Sequence, residues 1–355
     1  MNGRSTPRHT SAGLRRESLV GRRTLPTTLL LAGLLALVLA VSALAAGCGS
    51  NTKADTSTTA VATTIIPTTE QASTTIAAAV FPVNVKDSDG ISLTFNAAAK
   101  RIVAVSPGVT ETLFALGLAD RVVGVTKIDN YPPEAANVTS RVDYFQPSTE
   151  ALVALSPDLV IGDEGNRDAL KPVRAEGIPV MIFAPKTVDD IYSQIIVLGA
   201  VTGTTAKADE LVDQIKAQIK TATDAAGAAN AEPTVFYALD NTLWTCGPGS
   251  FVDGLLTLAD CVNIGTASRP AGSTDAYYQI TPEQLVAADP DIVLLPSSSG
   301  YKSADEFSKD PRFTGLKAVK NGRVYLFDDT TLTRQGPRIG AGLQSLVKTI
   351  HPGSL

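Results

Sequence analysis

Apolar and polar positions alternate between two periods from residue 101 onward. A continuous apolar run over 101–106 predicts a buried strand, and Pro107 with Gly108 is read as a turn. Leu113, Phe114 and Leu116 then share one face of a helix over 110–116, which Gly117 ends. Strands are predicted over 122–125, 158–161 and 179–183, with helices over 150–155 and near 168–176. Over 187–226 the rhythm changes. Ile191, Ile195, Leu198, Ala208, Leu211, Val212, Ile215 and Ile219 recur at helical spacing, with a break expected at Gly203. The first pattern then restarts: strands over 234–238, 291–295 and 323–327, and helices over 251–258, 282–288 and 338–350. Strands alternating with helices predict an α/β fold, parallel sheets covered by helices on both faces.

The two halves resemble each other. Residues 148–161 read STEALVALSPDLVI and residues 281–294 read TPEQLVAADPDIVL. Each has a Ser or Thr, a Glu two residues on, then Leu-Val-Ala, then Pro-Asp before an apolar strand. Ser148 and Thr281 are suitable N-caps, which places Glu150 and Glu283 in the first helical turn. Thr281 and Gln284 form a capping box, with Pro282 at the first helical position. A Glu at such a position complements the helix dipole by about 0.3–1 kcal/mol. That explains each Glu alone, but not why equivalent corners of both halves carry one. Two similar lobes across a helical spacer enclose one cleft, which is a ligand site by construction.

Composition narrows the classes. The chain has 355 residues, 44% hydrophobic, with a net charge of −5, which suits two ordinary domains and gives no basic face for nucleic acid. His9 and His351 are the only histidines, which argues against a histidine-built metal or acid/base site. Arg15, Arg16, Arg22 and Arg23 precede an apolar run over 29–46 and then Cys48, the pattern of an export signal. Ala45, Ala46 and Gly47 before Cys48 resemble a bacterial lipobox, so residues 1–48 are read as a lipoprotein signal peptide with Cys48 lipidated. A membrane-spanning anchor helix is the alternative, and Arg22-Arg23 leaves the twin-arginine export route open. Residues 49–80 are rich in Thr, Ala and Ser and read as a flexible tether. Either way the remainder is expected outside the cell membrane. In that oxidising compartment a disulfide between Cys246 and Cys261 is expected.

The ordered set of motifs resembles the substrate-binding proteins of ATP-driven importers for vitamin B12, haem and ferric siderophores. It comprises the 101–107 run with Thr110 and Glu111, the segment 130–134 (Asn-Tyr-Pro-Pro-Glu), both Leu-Val-Ala…Pro-Asp corners, and Gly247-Pro248-Gly249. The resemblance covers about 81–355. It implies two Rossmann-like lobes, here 81–186 and 229–355, joined by a single long rigid α-helix within the linking helical segment 187–228. It also implies that Glu150 and Glu283 dock one each into a two-fold permease dimer, and that the protein is a monomer without a resident cofactor.

The resemblance implies aromatic contacts to a flat macrocycle at Tyr131, Phe145 and Tyr277. Tyr144, Trp244 and Tyr278 are further candidates because they too fall in expected loops. Asp163, Glu164 and Gly165 stand where the resemblance implies an aromatic, and Asp163 and Glu164 are candidates for polar edges of a ligand or for a solvated turn. Arg334 and Arg338 could face an anionic ligand. A corrinoid such as cobalamin ranks first as ligand, a ferric siderophore second and haem third. Two other classes stay open: an extracytoplasmic α/β enzyme, for which only the adjacent Asp163 and Glu164 offer a carboxylate pair, and a tethered sensory domain.

Overall fold

A computed structural model describes residues 80–355; the expected leader, Cys48 and the tether up to residue 79 lie outside the described residues. Strands β1 (Val83–Lys86) and β2 (Ser92–Phe95) form an antiparallel hairpin. Asp87 holds its turn by accepting from the Asp89 and Ile91 N–H groups at 3.0 and 2.8 Å. Five parallel strands follow: β3 (Ile102–Ala104), β4 (Val122–Thr126), β5 (Arg141–Val142), β6 (Leu159–Asp163) and β7 (Val180–Phe183). Their spatial order is β5-β4-β3-β6-β7. β3 and β7 are buried along their whole length, as continuous apolar runs require when both faces are covered.

The second half contains β8 (Thr234–Tyr237), β9 (Trp244–Cys246), β10 (Val262–Asn263), β11 (Tyr277–Gln279), β12 (Ile292–Pro296) and β13 (Val324–Phe327). Four of these make a parallel sheet in the order β10-β8-β12-β13. That order superposes on β4-β3-β6-β7, so the halves share topology as well as motif. Helices Thr149–Ala154 and Pro282–Ala288 lead into β6 and β12, the corresponding strands. Ser148 accepts from the Ala151 N–H, and Thr281 with Gln284 closes the expected capping box.

The joining segment is two helices, Val188–Thr202 and Thr205–Ala228. Gly203 separates them in the left-handed conformation, at φ 74°. The last helix, Ile339–Ile350, crosses the longer of the two closely at Gly340, where a Cβ would lie 2.6 Å from Gln218 Cβ and 3.2 Å from the Ile215 carbonyl. One apolar core runs through both sheets and these helices, including Ile102, Leu113, Ile195, Ile215, Leu294 and Leu343. The halves are therefore fused by packing as well as by chain.

Two expectations are corrected. Pro107 and Gly108 do not turn before a helix; they begin it, over Pro107–Ala115. Proline fits the first helical position because its missing N–H has no partner there anyway. Cys246 and Cys261 are both free thiols. Their sulfurs have separate partners: Asn263 Nδ2 lies 3.8 Å from Cys246 Sγ, while Cys261 Sγ donates to the Leu256 carbonyl at 3.2 Å. Burial pushes each thiol up to about 12, so both are neutral and unreactive.

Candidate functional site

The C-terminal ends of β3, β6 and β7 open onto a cavity of about 360 Å³, closed on its far side by residues 333–335. Its polar wall is built on the turn after β6. Asp163 Oδ1 accepts from the Tyr144 hydroxyl at 2.8 Å and the Gly165 N–H at 2.9 Å. Asn166 ties that turn to β3: its Oδ1 accepts from the Asp163 N–H at 3.0 Å, and its Nδ2 donates to the Val105 carbonyl at 2.6 Å. Burial raises the Asp163 carboxyl above its ordinary pKa, against the lowering effect of neighbouring hydroxyls. Burial, and then the Asp163 charge, pushes the Tyr144 phenol well above the usual range.

The floor is a charge cluster joining the two halves. Glu111, on the first helix of the N-terminal lobe, has a side chain only 1% exposed. Arg338 grips it with two hydrogen bonds of 2.8 and 2.6 Å, and Arg334 adds one of 3.2 Å. Arg334 also donates to Asn130 Oδ1 at 2.7 Å, and the Arg338 guanidinium sits 4.1 Å from the Tyr131 ring centroid. Gly108 makes the approach feasible, since a Cβ there would lie 1.9 Å from the Arg334 carbonyl. Gln335 Nε2 spans the same junction to the Pro185 carbonyl at 2.9 Å. Both arginines are therefore engaged within the protein. Arg338 is taken up by Glu111 and the Tyr131 ring, while Arg334, though bonded to Glu111 and Asn130, still lines the cavity.

Four expected aromatics are part-exposed: Phe145 at 64%, Tyr277 at 44%, Trp244 at 42% and Tyr131 at 41%. Phe145 meets Tyr144 edge-on at 4.7 Å. Trp244 and Tyr277 come from β9 and β11, an antiparallel ribbon in which Trp244 pairs with Gln279 and Tyr277 with Cys246. These two pairs share one face, and Thr245 and Tyr278 share the other. Tyr278 is accordingly buried, its hydroxyl donating to the Gly265 carbonyl, and belongs to the second lobe's core rather than to the cleft. Burial raises the Tyr277 phenol, with Cys246 and, to a smaller extent, Glu164 adding to the rise.

Glu150 and Glu283 are exposed at their helix N-termini. Hydrogen bonding lowers both carboxyls: chiefly the Ser148 hydroxyl for Glu150, at 2.9 Å, and its own backbone N–H for Glu283. His351 is buried with Nε2 2.8 Å from the Ala259 carbonyl, far from any role in the cleft. Among the described residues no group of three or more His, Cys, Asp or Glu could hold a metal ion. Glu111 entered the sequence reading only as part of a family motif, without a role of its own, and Gln194 was not singled out. Gln194, a cavity-lining residue, had a signal: a polar side chain beside Ile191, Ile195 and Leu198 on an apolar helix face.

A family model described as periplasmic binding protein matches residues 102–331. The chain is 32% identical over 282 residues to YvrC of Bacillus subtilis (strain 168), described as an uncharacterized ABC transporter substrate-binding lipoprotein, with 77% of this chain and 87% of that protein covered. It is 27% identical over 279 residues to a cobalamin-binding protein of Halobacterium salinarum, covering 76% and 74% of the two chains. The apo structure of RhuT, a periplasmic heme-binding protein from Roseiflexus sp. RS-1, matches with a TM-score of 0.64 at 28% identity, covering 73% of this chain and all of that one. With matches over most of its length and a two-lobed α/β fold to accommodate them, the chain belongs to the periplasmic binding protein family, a family of transport proteins rather than enzymes.

Proposed function

We propose that this chain captures a corrinoid such as cobalamin between its two lobes and delivers it to the permease dimer of an ABC importer. The coarser function, substrate binding for an importer of the vitamin B12, haem or siderophore type, follows from the family and its named relatives. The observation that carries the finer one is that both lobes expose rings, Tyr131 and Phe145 on one and Trp244 and Tyr277 on the other, in a chain that also has a polar cavity at the ends of its first sheet. Exposed flat apolar faces suit a large flat macrocycle, which gains from burial and stacking. A relative named as cobalamin-binding supports the choice of ligand.

Haem is the second reading, favoured by the likeness to a heme-binding structure and by Tyr277, whose phenol could ligate iron. Burial raises that phenol's pKa, which disfavours the phenolate such ligation needs. Delivery is assigned to Glu150 and Glu283, which present one carboxylate per lobe to a two-fold partner, with lipidated Cys48 and the tether keeping the protein at the membrane. Visible-absorbance titration of the purified protein tests the ligand. Cyanocobalamin is expected to bind one per chain, with haemin and ferric siderophores much weaker; tight haemin binding without corrinoid binding would reverse the order.

A further inference from the structure

The cavity wall on the turn after β6 carries acceptors with no ion-pair partner. Among the described residues no ion pair involves Asp163 or Glu164. The guanidinium nearest the cavity, that of Arg334, is committed to Glu111 and Asn130. Arg334 and Arg338 share the buried Glu111 carboxylate. The wall on the turn after β6 carries two carboxylates, Asp163 and Glu164.

Gln194 completes this wall. It is 4% exposed and lines the same cavity, and no described residue hydrogen-bonds its side-chain carboxamide. Its amide atoms are not fully enclosed, so they face space that a donor or acceptor can fill. Here the open direction is the cavity itself. Asp163 is kept half-buried despite the cost to its charged form.

Two carboxylates and one free carboxamide define a chemistry. A primary carboxamide on a ligand donates N–H to a carboxylate and pairs both ways with another amide. A ligand carboxylate would instead meet like charge in a partly buried site. We propose that Asp163, Glu164 and Gln194 form a subsite that reads primary carboxamides on the rim of the macrocycle and rejects carboxylates. The subsite would select an amidated corrinoid over a carboxylate-bearing tetrapyrrole such as haem. It rests on corrinoid capture, and adds to it the reason for the choice. An acidic pair thus takes the place of the ring implied at this position by the family resemblance.

The test compares cyanocobalamin with its monocarboxylic acids, each having one side-chain amide hydrolysed, by calorimetric titration near pH 7. At least one acid isomer is expected to bind the wild-type protein about tenfold more weakly than the amide. Asp163→Asn and Glu164→Gln should each narrow that gap to about twofold, with thermal unfolding confirming that the variants fold. Glu164 is exposed, so its variant stays informative even if Asp163→Asn is unstable. Equal wild-type affinity for the amide and every acid, or a gap unchanged in the folded variants, overturns the subsite while leaving corrinoid capture intact. No binding of any corrinoid removes capture itself, and the subsite with it.

Discussion

Asp163 is held in a site that works against its charge. Burial puts its folded pKa above the ordinary 3.8, so the folded state favours the protonated form. Any stability this shift contributes is present below the ordinary value and lost as pH rises through the folded one. Asp163→Asn, which keeps an oxygen for the Tyr144 and Gly165 donors, is therefore expected to raise the melting temperature at pH 7 relative to wild type. The gain should shrink as pH falls below the raised pKa, and melting curves across pH 3–7 would show it. A stability sacrificed at a cavity wall is the usual sign of a group retained for ligand. At this scale the sequence was informative where a residue type is rare. The aromatics were legible because only 5% of the chain is aromatic and several fell outside helical patterns. Tyr278 was misplaced because adjacent residues in a strand face opposite ways, and a three-residue strand leaves too short a pattern to reveal it. Arg334 and Arg338 were read as ligand-facing because their partner, Glu111, is more than two hundred residues away in sequence.

Among the elements, apolar strands and periodic helices were legible, and strands with neither an apolar run nor a period were not. The helix over 251–258 and that over 282–288 stand where their patterns put them. The ribbon of β9 and β11 and the two-residue β5 and β10 have no period long enough to read. Helix starts depend on what crosses them, which Gly108 illustrates. It lies in the helix Pro107–Ala115 with the Arg334 carbonyl against it, so Gly108→Ala should destabilise by about 1–3 kcal/mol through overpacking. Gly254 sits within helix Phe251–Leu258 with nothing within 4 Å of an added Cβ. There the same change should stabilise by about 0.5–1 kcal/mol, because alanine loses less backbone freedom on folding. Urea denaturation of the two variants would show opposite signs.

For the whole molecule, the internal repeat was the strongest signal. It predicted matching sheets, and the orders β4-β3-β6-β7 and β10-β8-β12-β13 match. It also set Glu150 and Glu283 at corresponding corners, each exposed and held charged by hydrogen bonds at its helix start. Reversing both to Lys is expected to abolish transport in reconstituted vesicles while leaving ligand affinity unchanged, since neither residue lines the cavity. A parallel loss of affinity would count against docking. The interlobe charge cluster and the shared core argue for a hinge of small amplitude, so ligand entry depends on side chains and loops at the rim more than on wide opening.

Trp244 is the single tryptophan of the chain, on β9 of the second lobe and 42% exposed. Corrinoids absorb where indole emits, so a macrocycle between the lobes must quench it. Fluorescence titration with cyanocobalamin should show saturable quenching that reaches its end at one ligand per chain, in step with the absorbance change. Stoichiometric binding by absorbance that leaves Trp244 emission unaltered would place the ligand elsewhere and contradict capture between the lobes.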